Sequence, residues 1–179
     1  MRVAVTGTPG TGKTTATELL ESRFAAGNSS APDLEVIHLN RVLEDEGLYT
    51  EVDAERESKI ADFEAMSEWL EGRDDVVIES HLAHHFAADR VAVLRCAPER
   101  LEARLLERGE SEAKATENAE SEALDVILSE TVDEHGLESV YEIDTTDRDP
   151  EAVADALEAV VTGEREPSAG EVDFVGYLA

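Results

Sequence analysis

The segment from residue 7 to residue 14 reads Gly7-Thr8-Pro9-Gly10-Thr11-Gly12-Lys13-Thr14. Two glycines enclose four residues and are followed by a lysine and a hydroxyl residue, which is the spacing of a P-loop. An apolar run at residues 3–5 precedes the segment, and apolar residues recur at helical spacing over residues 16–24. The spacing and its flanks together predict a strand, a phosphate-binding loop and a helix.

The polar groups of this loop have distinct expected tasks. The glycines let successive backbone N–H groups point at a β-phosphate, and the start of the helix adds positive potential. Lys13 is expected to bridge the β and γ oxygens, Thr14 to offer its hydroxyl to Mg²⁺, and Thr15 to reach the α-phosphate. We therefore predict that ATP binds here, with Mg²⁺ as its counter-ion, through Gly7, Pro9, Gly10, Thr11, Gly12, Lys13, Thr14 and Thr15.

Further apolar runs are typical of strands, and they alternate with helical patterns along the chain. This alternation predicts an α/β fold of the P-loop NTPase class, with a parallel sheet of about five strands flanked by helices and right-handed crossovers. The predicted strands lie at residues 3–5, 35–39, 76–79, 91–94 and 140–143.

Helices are predicted between these strands. Apolar residues such as Ile60 and Phe63 recur at steps of three and four, which indicates one helix across residues 53–72. Residues 111–135 are expected to form one long acidic helix with Leu124 and Leu128 on its inner face, and Pro150 is expected to start the last helix.

The length of 179 residues fits one compact domain with insertions. We assign this domain to residues 1–162. The polar segment at 163–179 is expected to be a flexible tail, although its apolar residues, among them Phe174 and Tyr177, could dock on the domain.

The chain carries 43 acidic and 15 basic residues, so its net charge is −28, and only three of the basic residues are lysines. A field of this sign repels nucleic acid and anionic membranes, so we expect neither direct DNA binding nor membrane binding. Acidic, lysine-poor surfaces favour solubility in concentrated salt, which indicates a halophilic source; an ordinary acidic protein is the alternative.

The amino-terminal sequence enters a strand directly, without the apolar region of a signal peptide, and no window approaches the roughly 18 apolar residues of a membrane span. We therefore expect a cytoplasmic protein. Its single cysteine, Cys96, excludes an internal disulfide and lies in an apolar run, which predicts a buried thiol.

An acid ends the third predicted strand, and a histidine follows two residues later. Glu79 ends the apolar run 76–79, where a P-loop enzyme places the carboxylate that holds Mg²⁺ directly or through water. His81 is expected to face the phosphates and to orient water or substrate. A surface role for Glu79 is the alternative. His84 and His85 suggest a metal cluster, but without cysteine partners we assign them to the surface or to helix capping rather than to zinc.

Basic residues cluster between residues 90 and 114, where six of the 15 fall in 25 positions. Arg100, Arg104 and Arg108 are four apart, so they share one face of the helix that Pro98 begins. We predict that Arg108 neutralises the transferred phosphoryl group, as a lid arginine. Ion pairs with neighbouring glutamates are the alternative, especially for Arg100.

Several motifs in order now indicate a family. The P-loop, the segment 46–49 (Glu-Gly-Leu-Tyr), the strand end Glu79-Ser80-His81 and the stretch Arg108–Asn118 resemble adenylate kinase isoenzyme six, also called the coilin-interacting nuclear ATPase family, which has archaeal members. The resemblance extends from Val3 to about Ile143. The guanine-reading element Asn-Lys-x-Asp of a GTPase is absent from the sequence.

The resemblance implies an adenylate kinase-like fold with a monophosphate-binding insertion at about residues 30–53 and a short lid at about 107–117. It implies the reaction of ATP with AMP to give two ADP, with broad monophosphate tolerance and some ATP hydrolysis. It also implies late maturation of the small ribosomal subunit through contact with a basic ribosomal protein.

Two positions depart from the family pattern. Glu79 replaces an aspartate, which adds one methylene to the acid, and Glu44 stands near a position where some members carry an arginine. Arg41 or Arg56 is therefore expected to hold the phosphate of the acceptor. Two rival functions remain: an ATP-gated ribosome assembly factor with incidental kinase turnover, and a P-loop kinase of another small metabolite.

Overall fold

A parallel sheet of five strands lies at the centre of the computed structural model, which describes residues 1–55 and 58–179. The strands of this sheet are β1 (Arg2–Thr6), β2 (Glu35–His38), β5 (Val76–Glu79), β6 (Arg90–Arg95) and β7 (Val140–Asp144), in the spatial order β2-β5-β1-β6-β7. A separate antiparallel pair consists of β3 (Tyr49–Asp53) and β4 (Ser58–Ala61). The predicted α/β class with five parallel strands is confirmed.

Helices flank the sheet. Their bounds are α1 (Lys13–Ala25), α2 (Leu39–Asp45), α3 (Phe63–Leu70), α4 (Pro98–Glu107), α5 (Glu112–Ala123), α6 (Val126–His135) and α7 (Pro150–Thr162). Short 3₁₀ turns occupy Ala83–His85, Leu137–Ser139 and Val175–Leu178.

Strand β1 explains why helices must cover both faces of the sheet. Val3 and Val5 belong to an apolar cluster that includes Leu20 of α1, whereas Ala4 belongs to a second cluster with Met66 of α3. Successive side chains of a strand point to opposite faces, so a strand that is apolar throughout needs a partner layer on each side. Because the strands are parallel, their carboxyl ends meet at one edge, where loops gather to form a site.

The predicted helix across residues 53–72 is wrong in its first half. Tyr49–Asp53 and Ser58–Ala61 pair as antiparallel strands, and Ile60, assigned to the inner face of a helix, is 48% exposed. The helix begins only at Phe63, because the carboxylate of Asp62 accepts a hydrogen bond from the backbone N–H of Ala65 at 3.0 Å and caps the first turn.

The predicted helix over residues 111–135 is two helices. Asp125 separates them with a positive φ of 54°, and Leu124, expected on the inner face, is 59% exposed. Aspartate tolerates this left-handed conformation better than most residues. The guanidinium of Arg95 donates to the Asp125 carboxylate at 2.5 Å and stabilises the break.

The segment after Thr162 is not a free extension, so the expected flexible tail is corrected. Ser168 forms a parallel bridge with Tyr141, its carbonyl accepts from the N–H of Glu142 at 2.8 Å, and its N–H donates to Val140 at 2.9 Å. Further along, the ring of Phe174 lies 5.5 Å from the guanidinium carbon of Arg95. The tail therefore pairs through its backbone with the edge of β7, which the sequence did not predict. Phe174 docks on the domain, as the alternative in the sequence analysis allowed.

Two further expectations concern burial and membranes. Cys96 is buried as predicted, and burial raises the pKa of its thiol to about 11. Among the helices of residues 1–55 and 58–179, none combines the length and the apolar character that crossing a membrane requires.

Candidate active site

Two glycines let the loop after β1 lie against the rest of the domain. A Cβ added to Gly7 would lie 2.5 Å from the carbonyl oxygen of Leu94 in β6, and Gly7 has φ of +144°. A Cβ added to Gly10 would lie 3.0 Å from Leu101 and 3.1 Å from Leu105, both in α4. Only glycine fits this backbone and these contacts, so the loop is held between β6 and α4.

Lys13 is folded back on the loop. Its Nζ donates to the carbonyl of Gly7 at 2.8 Å and to that of Thr8 at 3.2 Å, and the residue is buried. Burial lowers the pKa of Lys13 to about 8, against the opposing effect of the nearby Glu79 and Glu122 carboxylates. Among the described residues, the bonds of this ammonium go to backbone carbonyls and not to a carboxylate, and a phosphate would supply a stronger, anionic partner.

Thr14 and Glu79, which the sequence places 65 residues apart, meet at the carboxyl edge of the sheet. The hydroxyl of Thr14 donates to Oε1 of Glu79 at 3.3 Å, and Oε2 of Glu79 accepts from Nδ1 of His38 at 2.7 Å. A hydroxyl and a carboxylate are oxygen ligands of the kind that Mg²⁺ prefers. The pair therefore fits the predicted magnesium site.

His81 lines the same cleft, two residues beyond β5. Burial, reinforced by the charge of Lys13, lowers the pKa of His81 to about 4. The imidazole is therefore neutral at physiological pH and offers one nitrogen as a hydrogen-bond acceptor.

A cleft of about 760 Å³ brings most of the predicted residues together. Its lining includes the predicted Pro9, Gly10, Gly12, Lys13, Thr14, Thr15, Glu79, His81 and Arg108, together with Asn40, Arg104 and Glu107. Gly7 and Thr11 lie behind it: Thr11 is buried, and its carbonyl accepts from the hydroxyl of Thr145 at 2.9 Å.

The three arginines of α4 have different surroundings. Arg104 donates to the carbonyl of Gly10 at 3.3 Å and to that of Thr145 at 3.3 Å, so it links the loop to the segment after β7. Arg108 follows α4 as its cap residue, is exposed and lines the cleft. Arg100 pairs with the exposed Asp147 at 3.3 Å and not with a neighbouring glutamate, and a pair this exposed contributes little stability.

A network of buried charged side chains holds the P-loop on the side of α5 and β7, and it was not predicted from the sequence. Glu122 of α5 accepts from the hydroxyl of Thr8 at 2.6 Å, from Nε of Arg95 at 2.8 Å and from the N–H of Cys96 at 3.0 Å. Arg95 is 1% exposed and also donates to Glu142 at 2.7 Å. A buried charge requires such partners, and here they tie the loop to α5 and β7.

Sequence reasoning also missed His38, the last residue of β2, and Asn40, the second residue of α2. Oδ1 of Asn40 accepts from the hydroxyl of Ser80 at 2.9 Å. Because β2 pairs with β5 in the sheet, the edge rule for parallel strands could have placed both residues beside Glu79.

Two arginines were predicted to bind the phosphate of the acceptor, and the structure describes one of them. Arg41 is exposed and donates to Glu18 at 2.6 Å. Arg56 lies outside the described residues.

His84 is not the surface residue that we expected. It is 1% exposed, with Nδ1 2.8 Å from the hydroxyl of Thr6 and Nε2 2.9 Å from Glu130. His85 is 28% exposed and contacts Glu134.

A phosphate-binding loop at the carboxyl edge of a parallel sheet, facing a hydroxyl–carboxylate pair and two arginines, defines a P-loop nucleotide-binding protein. The family described as "AAA domain" matches residues 3–125, and the chain belongs to it. The chain also belongs to an archaeal family within this class whose members carry the name "Putative adenylate kinase".

Members of this archaeal family align along nearly the whole chain. The protein of Natronomonas pharaonis is 60% identical and the alignment covers 99% of this chain and 100% of the relative. The protein of Halobacterium salinarum is 58% identical with the same coverages, and that of Methanosarcina acetivorans is 40% identical over 90% of this chain and 86% of the relative. The resemblance drawn from the motifs is thereby confirmed for the archaeal members.

Solved structures agree on the fold. Shikimate kinase from Bacteroides thetaiotaomicron has a TM-score of 0.60 at 19% identity, covering 90% of this chain and 98% of that one. A gluconokinase from Sinorhizobium meliloti has a TM-score of 0.53 at 15% identity, covering 91% and 92%. At these identities the likeness establishes a P-loop kinase fold alone.

Proposed function

We propose that the protein is a nucleoside monophosphate kinase that transfers the γ-phosphoryl group of ATP to AMP and forms two molecules of ADP. The observation that carries the proposal is the single cleft in which the P-loop, the Thr14–Glu79 pair, His81 and Arg108 meet. The name of the archaeal relatives supports the choice of a nucleotide as acceptor.

Binding of ATP is expected to release Lys13 from the loop. Its ammonium, now bonded to two backbone carbonyls, gains a stronger partner when the β and γ oxygens of the triphosphate arrive. The backbone N–H groups of Gly10, Gly12, Thr14 and Thr15 would surround the phosphates. Those of Thr14 and Thr15 lie in the first turn of α1, where N–H groups have no acceptor within the helix.

Thr14 and Glu79 would hold Mg²⁺, which supplies neutralisation of the β and γ oxygens. Arg108 adds a guanidinium to the charge that develops on the transferred phosphoryl group, and its exposed position beside Gly109 suits a group that closes over bound substrate. The family resemblance implies a lid at about residues 107–117, and the exposure of Arg108 supports that assignment.

The acceptor is expected on the side of the insertion at residues 30–53, where Asn40 already lines the cleft. Arg41 would exchange its exposed bond with Glu18 for the phosphate of the monophosphate, since an exposed pair is weak and a phosphate carries more charge.

We also propose slow ATP hydrolysis. His81 is neutral because burial holds its pKa at about 4, so its imidazole can accept a hydrogen bond from a water molecule in the cleft. Without AMP, that water takes the place of the acceptor.

A second candidate is an ATP-gated ribosome assembly factor, and the net charge of −28 favours it because an acidic surface attracts a basic protein. It predicts slow turnover and ATP-dependent binding to a basic small-subunit ribosomal protein. A kinase of another small metabolite is the third candidate, and it predicts strong activity on a non-nucleotide alcohol.

The test measures ADP formed from ATP and Mg²⁺ at high KCl, with and without AMP. We expect a large AMP-dependent rate, reduced about 100- to 1,000-fold in Lys13→Ala because a preorganised cation is lost. Arg73→Ala is the matched control: it removes one cation that stacks on Trp69, before the start of β5, and should leave the rate unchanged. ADP formation indifferent to AMP would support the assembly factor and refute the kinase.

A further inference from the structure

Three potential metal ligands converge outside the cleft. His84 and His85 lie on the 3₁₀ turn after β5, and Glu130 lies on α6. One ligand atom from each of the three residues can be chosen so that all lie within 4.8 Å of one another. The carboxylate oxygen Oε2 of Glu130 is 2.9 Å from Nε2 of His84 and 3.9 Å from Nε2 of His85.

Each histidine is oriented through its other ring nitrogen. Nδ1 of His84 is 2.8 Å from the hydroxyl of Thr6, and Nδ1 of His85 is 2.7 Å from a carboxylate oxygen of Glu134. Histidines that bind metals almost always donate their second ring N–H to a carboxylate, a backbone carbonyl or water, which fixes the orientation of the ring. Glu134 takes this place for His85, and the hydroxyl of Thr6 takes it for His84.

The tautomer of His85 follows from its partner. An ionised carboxylate can only accept, so Nδ1 of His85 carries the proton that is donated to Glu134. In the neutral imidazole the lone pair is then on Nε2, 3.9 Å from an oxygen of Glu130, too far for a hydrogen bond. Two electron-rich atoms therefore share a space that a cation between them would stabilise. By the same rule, Nε2 of His84 donates its proton to Glu130 at 2.9 Å when no metal is bound. A metal on Nε2 requires the other tautomer of His84, in which Nδ1 carries the proton and donates it to the hydroxyl of Thr6.

We propose that His84, His85 and Glu130 bind a first-row divalent transition metal of the zinc type. Metal–ligand bonds of about 2.0–2.2 Å in a tetrahedral site separate the ligand atoms by roughly 3.3 Å. The distances of 2.9 Å and 3.9 Å lie on either side of that value, so small side-chain rotations suffice. Imidazole ligands favour zinc, nickel or copper over Mg²⁺, which separates this site from the Thr14–Glu79 pair.

The surroundings suit a site that is open on one side. His84 is fully buried and the ring of Phe63 packs edge-on against His85 at 5.2 Å, whereas the side chain of Glu130 is 46% exposed. Metal can enter from solvent, and water can supply a fourth ligand. The sequence alone does not place a third ligand beside His84 and His85, because Glu130 lies on α6, 45 residues after His85.

The metal would connect the turn after β5 to α6. The turn is already held there by His135, whose Nε2 is 2.6 Å from the carbonyl of His84. Thr6, which orients His84, directly precedes Gly7 of the P-loop. The site therefore stabilises the base of the loop and is expected to act on stability more than on the chemical step.

The test uses Zn²⁺ and Co²⁺ alone as probes, with the full chain in high KCl and excess Mg²⁺, which occupies sites built only of oxygen ligands. We expect one Zn²⁺ per chain by calorimetry, a raised melting temperature, and a visible Co²⁺ spectrum of the intense tetrahedral type. Glu130→Gln and His85→Ala should each weaken binding at least tenfold, and Glu134→Gln should weaken it about 10- to 100-fold by releasing the ring of His85.

Asp133→Asn is the matched control, because it removes one exposed charge from the same helix without touching the three ligands. It should bind Zn²⁺ as the parent does. Circular dichroism checks that each variant is folded, and His85→Ala serves where Glu130→Gln fails that check. The proposal is overturned if Zn²⁺ does not bind, if all variants bind it equally, or if Co²⁺ keeps the spectrum of the hydrated ion.

Discussion

Glu122 offers the sharpest test of how the P-loop is supported. In Glu122→Ala, three buried donors lose their acceptor: the hydroxyl of Thr8, Nε of Arg95 and the N–H of Cys96. A buried donor without a partner costs about 1–3 kcal/mol, and breaking a buried ion pair costs about 3–5 kcal/mol. Arg95 keeps its bond to Glu142 at 2.7 Å, so its charge stays compensated. We therefore expect a loss near the lower limit, about 3 kcal/mol in the free energy of unfolding.

Glu122→Gln separates hydrogen bonding from charge. The amide oxygen can still accept from Arg95, and the amide nitrogen can donate to the hydroxyl of Thr8, which can reverse its own bond. We expect a loss of about 1 kcal/mol, typical of one weakened hydrogen bond. The two variants should thus differ by about 2 kcal/mol, which is roughly 30-fold in the unfolding equilibrium constant.

Urea unfolding at constant high KCl measures both variants, with Glu120→Ala as control because Glu120 is exposed on the same helix. The control should stay within about 0.5 kcal/mol of the parent. In thermal melts, Glu122→Ala should unfold about 6–12 °C below the parent for a chain of this size. A loss below 1 kcal/mol in Glu122→Ala, or equal losses in the two variants, would refute the reasoning.

Three further outcomes follow from the site. Glu79→Asp shortens the acid by about one bond length, so the carboxylate cannot reach both Thr14 and His38. The Mg²⁺ concentration for half-maximal ADP formation should therefore rise about tenfold or more. An unchanged Mg²⁺ requirement would contradict this prediction. Burial lowers the pKa of Lys13 to about 8, and a bound triphosphate favours the charged ammonium, so ATP affinity should be constant below pH 8 and fall as the pH rises above it. Calorimetry near pH 8.5 in buffers of different ionisation enthalpy should detect proton uptake by Lys13 when ATP binds. Absence of proton uptake would refute the assignment. Gly7→Ala should lower the free energy of unfolding in urea by about 1–3 kcal/mol or more, because φ of +144° is strained for alanine. The added Cβ would also lie 2.5 Å from the carbonyl oxygen of Leu94. An unchanged free energy of unfolding would show that β6 can move away from the loop.

The parallel sheet and the loop could be predicted because their signals are local. A strand that is buried on both faces is apolar throughout, as Val76–Glu79 and Arg90–Arg95 nearly are, and a P-loop has fixed spacing. Lys13, Thr14 and Glu79 could be placed at one edge because parallel strands bring their carboxyl ends together.

The remaining features depend on contacts between distant parts of the chain. The break at Asp125 is stabilised by Arg95, 30 residues earlier, while residues 111–135 alone show the periodicity of one helix. The composition of residues 163–179 predicts a flexible segment, because the pairing of Ser168 with the edge of β7 is made by backbone groups and leaves no signal in the sequence. His84 is buried only because Glu130 and Thr6 supply partners for both ring nitrogens.

The glutamate that replaces the aspartate of the family pattern is explained by its neighbour across the sheet. His38 and Glu79 are paired residues in the parallel ladder between β2 and β5, so their side chains start side by side. The additional methylene of Glu79 gives its carboxylate one more rotatable bond, which would cost entropy whenever the group binds a metal. The bond from Nδ1 of His38 at 2.7 Å holds one oxygen, and the other then lies beside the hydroxyl of Thr14. The proposed magnesium site can thus use a longer acid because the adjacent strand restrains it.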